Sequence, residues 1–149
     1  IDGNEITIAD TTSRAHPMVA GQGAEVMNLT RNVVIRGSEN GRAHVFIHAQ
    51  SKPQFMRWAL LEWLGVQGKV GRYPLHIHHS GSAAYGSLYE GIVARNNGLH
   101  AFVPHESHGI TMRDMVAYAT ADGEAYWWDN GDYTHDRAAP ASISAGAPT

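Results

Sequence analysis

Tyr73-Pro74-Leu75-His76-Ile77-His78 repeats the pattern of Ala43-His44-Val45-Phe46-Ile47-His48 before it, and Leu99-His100-Ala101-Phe102-Val103-Pro104 follows in kind. Extended outward, the stretches 43–68, 73–98 and 99–123 align, the last one residue shorter, and a fourth begins at Glu124. A repeat of roughly 25 residues made of short apolar and alternating runs marks a solenoid. The fold expected is therefore all-β, a parallel β-helix of about five to six coils on that repeat length.

Alternation within the repeats assigns the faces, because successive side chains of a strand point to opposite sides. Val45 and Ile47, Leu75 and Ile77, Ala101 and Val103, and Ala125 and Trp127 are all apolar and are expected inside. Between them stand His44, Phe46 and His48; Pro74, His76 and His78; His100, Phe102 and Pro104; and Glu124, Tyr126 and Trp128. Strands stacked about 4.8 Å apart would set His48 beside His78, and Phe102 beside both His76 and Tyr126. The outer face becomes a wall of histidines, aromatic rings and one acid.

Bulk properties agree with one folded domain. The chain has 149 residues, 43% of them hydrophobic, which is enough for a core. A formal charge of −3 and no basic stripe argue against nucleic acid as a partner. No apolar run could span a bilayer, and Ile1-Asp2-Gly3-Asn4-Glu5 does not read as a signal peptide. The absence of cysteine excludes disulfides and thiolate metal sites.

Residues 1–132 are read as the β-helix, with irregular first coils over 1–42 and regular coils over 43–132. Ile6-Thr7-Ile8 and Asn32-Val33-Val34-Ile35 read as early strands, the second closed by the turn Gly37 to Gly41. Met56 to Leu64 has apolar residues at helical spacing too, but its register against the later repeats assigns it to strand. Trp58 and Trp63 are expected in the core or between coils. The stretch 133–149, rich in Ala, Pro, Ser and Gly, reads as a tail or linker.

Gly71-Arg72-Tyr73-Pro74-Leu75-His76-Ile77-His78 resembles the β-helix region of the cell-migration-inducing and cell-surface hyaluronidase family, which fibrocystin-like receptors and bacterial proteins share. Ala24-Glu25-Val26 and Thr30 to Ile35 before it, and His105-Glu106-Ser107-His108-Gly109, Asp114 to Tyr118 and Gly123 to Gly131 after it, continue the likeness. The resemblance implies a right-handed parallel β-helix, an extracellular or cell-surface setting, and action on hyaluronan with some dependence on calcium. Glu124 stands where such sequences usually carry histidine, and Asp129-Asn130-Gly131 where they often carry Glu-Asp-Gly.

The wall supplies the candidate chemistry. His48, His76 and His78 on neighbouring coils could meet at one metal, zinc requiring about 2.1 Å to each nitrogen; Glu124 or Asp129 could complete or orient it. The plainer alternative is that these imidazoles hydrogen-bond to each other or stack on Phe46, Phe102 and Tyr126. His79, His105 and Asp129 fall at strand exits as a second polar column. A histidine beside a carboxylate can act as acid or base near neutral pH, which makes His78, Glu124, His105 and Asp129 the catalytic candidates. Arg72 could pair with a uronate, and His76, Phe102, Tyr126 and Trp128 could line the groove against sugar rings.

Two classes of function follow. One is an extracellular polysaccharide-active enzyme, a glycosidase or lyase, acting on an acidic glycan with a divalent ion, calcium or zinc, as its candidate cofactor. The other is a non-catalytic β-helix module that binds glycans or serves as a rigid part of a larger surface protein. Solenoid ends expose sheet edges, so flanking domains or self-association are expected.

Overall fold

Short strands, with only one or two residues between Phe55–Arg57 and Ala59–Glu62 and at the equivalent corners of the later coils, wind into a parallel β-solenoid in the computed structural model. It describes residues 26–128, the backbone of Ser142–Ser144 and, before them, Thr7, Arg14, Ala15, Met18, Ala20 and Gly21. The first sheet holds β2 (Val45–His48), β5 (Leu75–Gly81) and β8 (Phe102–Ser107). The second holds β3 (Phe55–Arg57), β6 (Leu88–Glu90) and β9 (Thr111–Arg113). The third runs β1 (Val33–Arg36), β4 (Ala59–Glu62), β7 (Val93–Arg95), β10 (Met115–Tyr118) and β11 (Ser142–Ser144). Every pairing is parallel. The described residues make about three turns rather than five or six, since the first and second sheets hold only 3 strands each.

The corners explain why the chain can turn so often with so little loop. Ala49, His79 and Glu106 have φ of 45°, 49° and 42°; Trp58, Gly91 and Asp114 have 53°, 61° and 53°; Trp63, Asn96 and Ala119 have 55°, 55° and 53°. A left-handed residue re-aims the strand in one step, at roughly 1–2 kcal/mol where a Cβ is present. Ladder bonds carried through the bends offset that cost: Trp58 N donates to Glu90 O at 2.9 Å, Gly91 N to Arg113 O at 3.0 Å, and Ala49 N to His78 O at 3.0 Å. Met56 to Leu64 is strand as expected, but broken at Trp58 into β3 and β4. Trp58 and Trp63 are therefore corner residues outside the core, under Arg31 at 5.6 Å and Arg42 at 5.4 Å.

The core is a stack of aliphatic and aromatic side chains from all three sheets. Leu75, Ile77, Leu61, Ala94, Tyr89 and Met112 lie within one buried cluster. Ile35, Leu61, Ala94 and Ala117 stand in one inward column of the third sheet. Its outer edge carries a charged ladder: Glu62, 5% exposed, accepts from Arg36 Nε and Arg95 Nε at 2.6 Å each. Within the stretch read as a tail, Ser142–Ser144 pairs with Met115–Ala117 as the last strand of this sheet.

One register differs from expectation. Phe46 pairs with His76 and His48 with His78, as the repeats require. Between β5 and β8, however, Leu75 pairs with Phe102 and His78 with His105, a slip of one residue that turns every side chain of β8 to the other face. Phe102 is fully buried beneath Tyr126, 5.3 Å away, and packs in the core instead of on the wall. Val103 moves outward into a small cluster with Tyr73, Leu99 and Trp127. Both side chains are fully buried, Phe102 in the main core and Val103 in the smaller cluster, so the slip leaves no apolar side chain of this pair in water. The slip also suits Pro104, which lies opposite Ile77: Leu75 N donates to Ala101 O, so the odd-numbered residues of β5 make the ladder bonds and the proline nitrogen is not required to donate to β5.

Candidate functional site

β5 presents two outward histidines in alternation and a third at its bend. His76, 2% exposed, lies on the outer face but is covered by its neighbours; His78 is half-buried and His79 exposed. The ring contacts run in several directions: Tyr73 meets His76 edge-on at 4.9 Å, and His78 stacks on His79 at 3.8 Å. His105 crosses His78 at 4.6 Å and His79 at 4.9 Å. The slip in β8 thus extends the column His48, His78 by His105, and sets Glu106 after it as His79 follows His78.

Hydrogen bonds order the inner rings. His76 Nδ1 lies 3.1 Å from the Gly71 carbonyl, which can only accept, so His76 donates there. Its Nε2 then accepts from His78 Nδ1 at 3.1 Å, and His78 Nε2 is left outside that chain of bonds. Burial, then the neighbouring His79, His105 and His48, holds the His78 pKa below its ordinary value, against a smaller opposing pull from Glu106. Beside it, His79 Nε2 and Glu106 Oε2 stand 3.4 Å apart. An open pocket of about 310 Å³ is lined by His79, Gly81, Glu106 and His108.

On the far edge of the same sheet, β2 carries a row of parallel rings. Phe46 stacks on His44 at 5.9 Å and 7°, and on His48 at 5.5 Å and 15°. Phe46 is 47% exposed, so the row offers a flat aromatic surface next to the histidine column.

The expected site residues fall into two groups. His48, His76, His78 and His105 come together. Glu124 does not join them: Ala101 N donates to Glu124 O, and Glu124 N to His100 Nδ1 at 2.7 Å, which places it level with His100. From His100 to His105 the strand advances roughly 16 Å at about 3.3 Å per residue. Arg72, exposed, closes the turn before Tyr73 and lies at that distant end too. Tyr126 faces the core with Phe102, and Trp127, expected inside, instead stacks on His100 at 4.5 Å and 6°. Trp128 is half-buried and stacked near Tyr126 at 6.4 Å. Asp129 lies outside the described residues.

For a metal, the ligand atoms of His48, His76 and His78 do not gather as one set among the described residues. The sets that do gather within 4.8 Å are His48, His78 and His79; His76, His78 and His105; and His79, His105 and Glu106. Calcium takes six to eight oxygen ligands, and these sets offer mostly imidazole nitrogen, so the cluster does not fit it. Glu106 and His79 gained their prominence from the slipped register, which the run of apolar residues 101–103 left undetermined in the sequence.

No family model matches the chain, and no solved structure matches it. The human protein named cell surface hyaluronidase CEMIP2 is 25% identical over 130 residues, covering 72% of this chain and 9% of that relative. The chain spans about a tenth of the length of the curated relative it matches. No helix among the described residues is long and apolar enough to cross a membrane.

Proposed function

We propose that this β-solenoid is the part of an extracellular protein that engages an acidic polysaccharide of the hyaluronan type on the outer face of β2, β5 and β8. The observation that carries the reading is the chain of bonds from the Gly71 carbonyl through His76 to His78, which fixes one tautomer and leaves His78 Nε2 as the accepting nitrogen. A base so oriented is what abstraction of a proton beside a uronate carboxylate requires. Glu106, near His79 at 3.4 Å, is the adjoining carboxylate. The exposed row of His44, Phe46 and His48 is the surface on which a sugar ring would stack. The likeness to a protein named a hyaluronidase points to the same class of ligand.

The test is release of unsaturated or reducing-end oligosaccharides from hyaluronan by the purified chain. His78→Ala is expected to abolish it with the thermal midpoint unchanged; full turnover in that variant would overturn the assignment. A second reading, binding without turnover, is favoured by Glu106 being the one acid in the pocket lining among the described residues, since glycosidases of the usual kind need two carboxyl groups at defined separation. Wild-type binding to immobilised hyaluronan with no product formed would decide for it.

A further inference from the structure

We propose that His79, His105 and Glu106 form a binding site for a divalent transition-metal ion. One ligand atom from each lies within 4.8 Å of the other two. His79 Nε2 and Glu106 Oε2 are 3.4 Å apart. Two ligands each about 2.1 Å from a tetrahedral ion are themselves about 3.4 Å apart. That edge of the coordination shell is already formed. The rings of His79 and His105 meet at 77° with centroids 4.9 Å apart, a crossing that lets their lone pairs converge.

The backbone presents the ligands from adjoining rungs. His79 and Glu106 both occupy left-handed bends, φ 49° and 42°, directly after the paired His78 and His105. The pocket of about 310 Å³ beside them leaves room for water or a ligand oxygen in a further position.

The other two sets fit less well. His78 and His79 stack nearly parallel at 3.8 Å and 12°, which holds their lone pairs side by side and not convergent. His76 cannot ligate through Nε2 without giving up the hydrogen bond that nitrogen accepts from His78. Two imidazoles and one carboxylate suit zinc, cobalt or nickel, and not calcium.

The inference does not depend on the glycan reading, because its readout is metal binding alone. The whole chain, made without a polyhistidine tag and stripped with chelator, is titrated with cobalt(II) chloride and followed by visible absorption; zinc chloride is added by calorimetry. The expected result is one ion per chain with micromolar affinity or better. His79→Asn and Glu106→Gln should each weaken it about tenfold or more. Asparagine tolerates the left-handed backbone and glutamine is isosteric, so both variants should keep the wild-type circular dichroism. His48→Ala and His76→Gln, which remove members of the competing sets, should leave cobalt affinity unchanged. No cobalt spectrum, affinity unchanged in His79→Asn and Glu106→Gln, loss confined to the His48 or His76 variant, or calcium displacing cobalt at equal concentration would each overturn the site.

Discussion

His78 Nδ1–H donates a hydrogen bond to His76 Nε2 at 3.1 Å, and His76 Nδ1–H in turn donates to the Gly71 carbonyl at 3.1 Å. The two rings therefore share one tautomeric state. Nitrogen-detected NMR of labelled histidine should find His78 neutral at pH 7 with Nδ1 protonated and Nε2 bare. In His76→Phe, the acceptor is gone and His78 should populate both tautomers. An Nε2-protonated His78 in the wild type would refute the arrangement.

Glu62 should be the acid-labile point of the third sheet. Burial works to raise its pKa, but hydrogen bonds and charges from Arg95 and Arg36 outweigh that and the net shift is downward from 4.5. A carboxylate whose pKa is depressed on folding contributes stability above its unfolded value and loses it as pH falls through the folded one. The unfolding free energy of the wild type should therefore decline below about pH 4.5, and Glu62→Gln should show a shallower decline. At neutral pH that substitution should cost about 2–3 kcal/mol by denaturant titration, because two charge-assisted bonds weaken at a buried position. A cost under a few tenths of a kcal/mol would show the ladder to be incidental.

Gly91 is the one glycine in the corner column it shares with Trp58 and Asp114, with φ 61°. A methyl group there would run into the Trp58 indole ring, which lies over the position. Gly91→Ala should lower stability by more than the roughly 1 kcal/mol of a left-handed alanine alone. Gly68→Ala, at φ 67° but with open space around it, should cost only the backbone term. Equal losses would mean the indole moves aside freely.

Phe46 is too exposed to hold the fold, so its role can be read separately from stability. Phe46→Ala should weaken hyaluronan binding about two- to tenfold, the worth of one ring contact, and leave the thermal midpoint within a degree or so. Retained affinity would remove the aromatic row from the groove.

The repeats made the solenoid legible because coils of a parallel stack reuse the same inward pattern: Val45 and Ile47 over Leu75 and Ile77 fixed the first pairing unaided. The histidine column at His48 and His78 came with it. Less could be read at β8, where Ala101 and Val103 are as apolar as Phe102 and either parity would bury something greasy. The proline decides, and its effect depends on the neighbouring strand. The corners were hidden for a different reason. Eight of the nine left-handed corner residues are not glycine, including His79, Glu106 and Trp58, so composition gave no sign of the bends that aim His79 and Glu106 at each other. Glu124 and Arg72 looked close to the wall because distance along a strand is invisible in a list of outward residues.

The register of β8 against β5 carries the site, and a cross-link tests it most directly. The chain has no cysteine of its own, so His78→Cys with His105→Cys, and His78→Cys with Pro104→Cys, can be oxidised in a clean background. Facing residues on neighbouring strands satisfy the Cα separation a disulfide needs, about 4.4–6.8 Å. The 78–105 pair should close within the monomer at high yield and the 78–104 pair should stay reduced; the reverse result would return Phe102 to the outer face and dismantle the site.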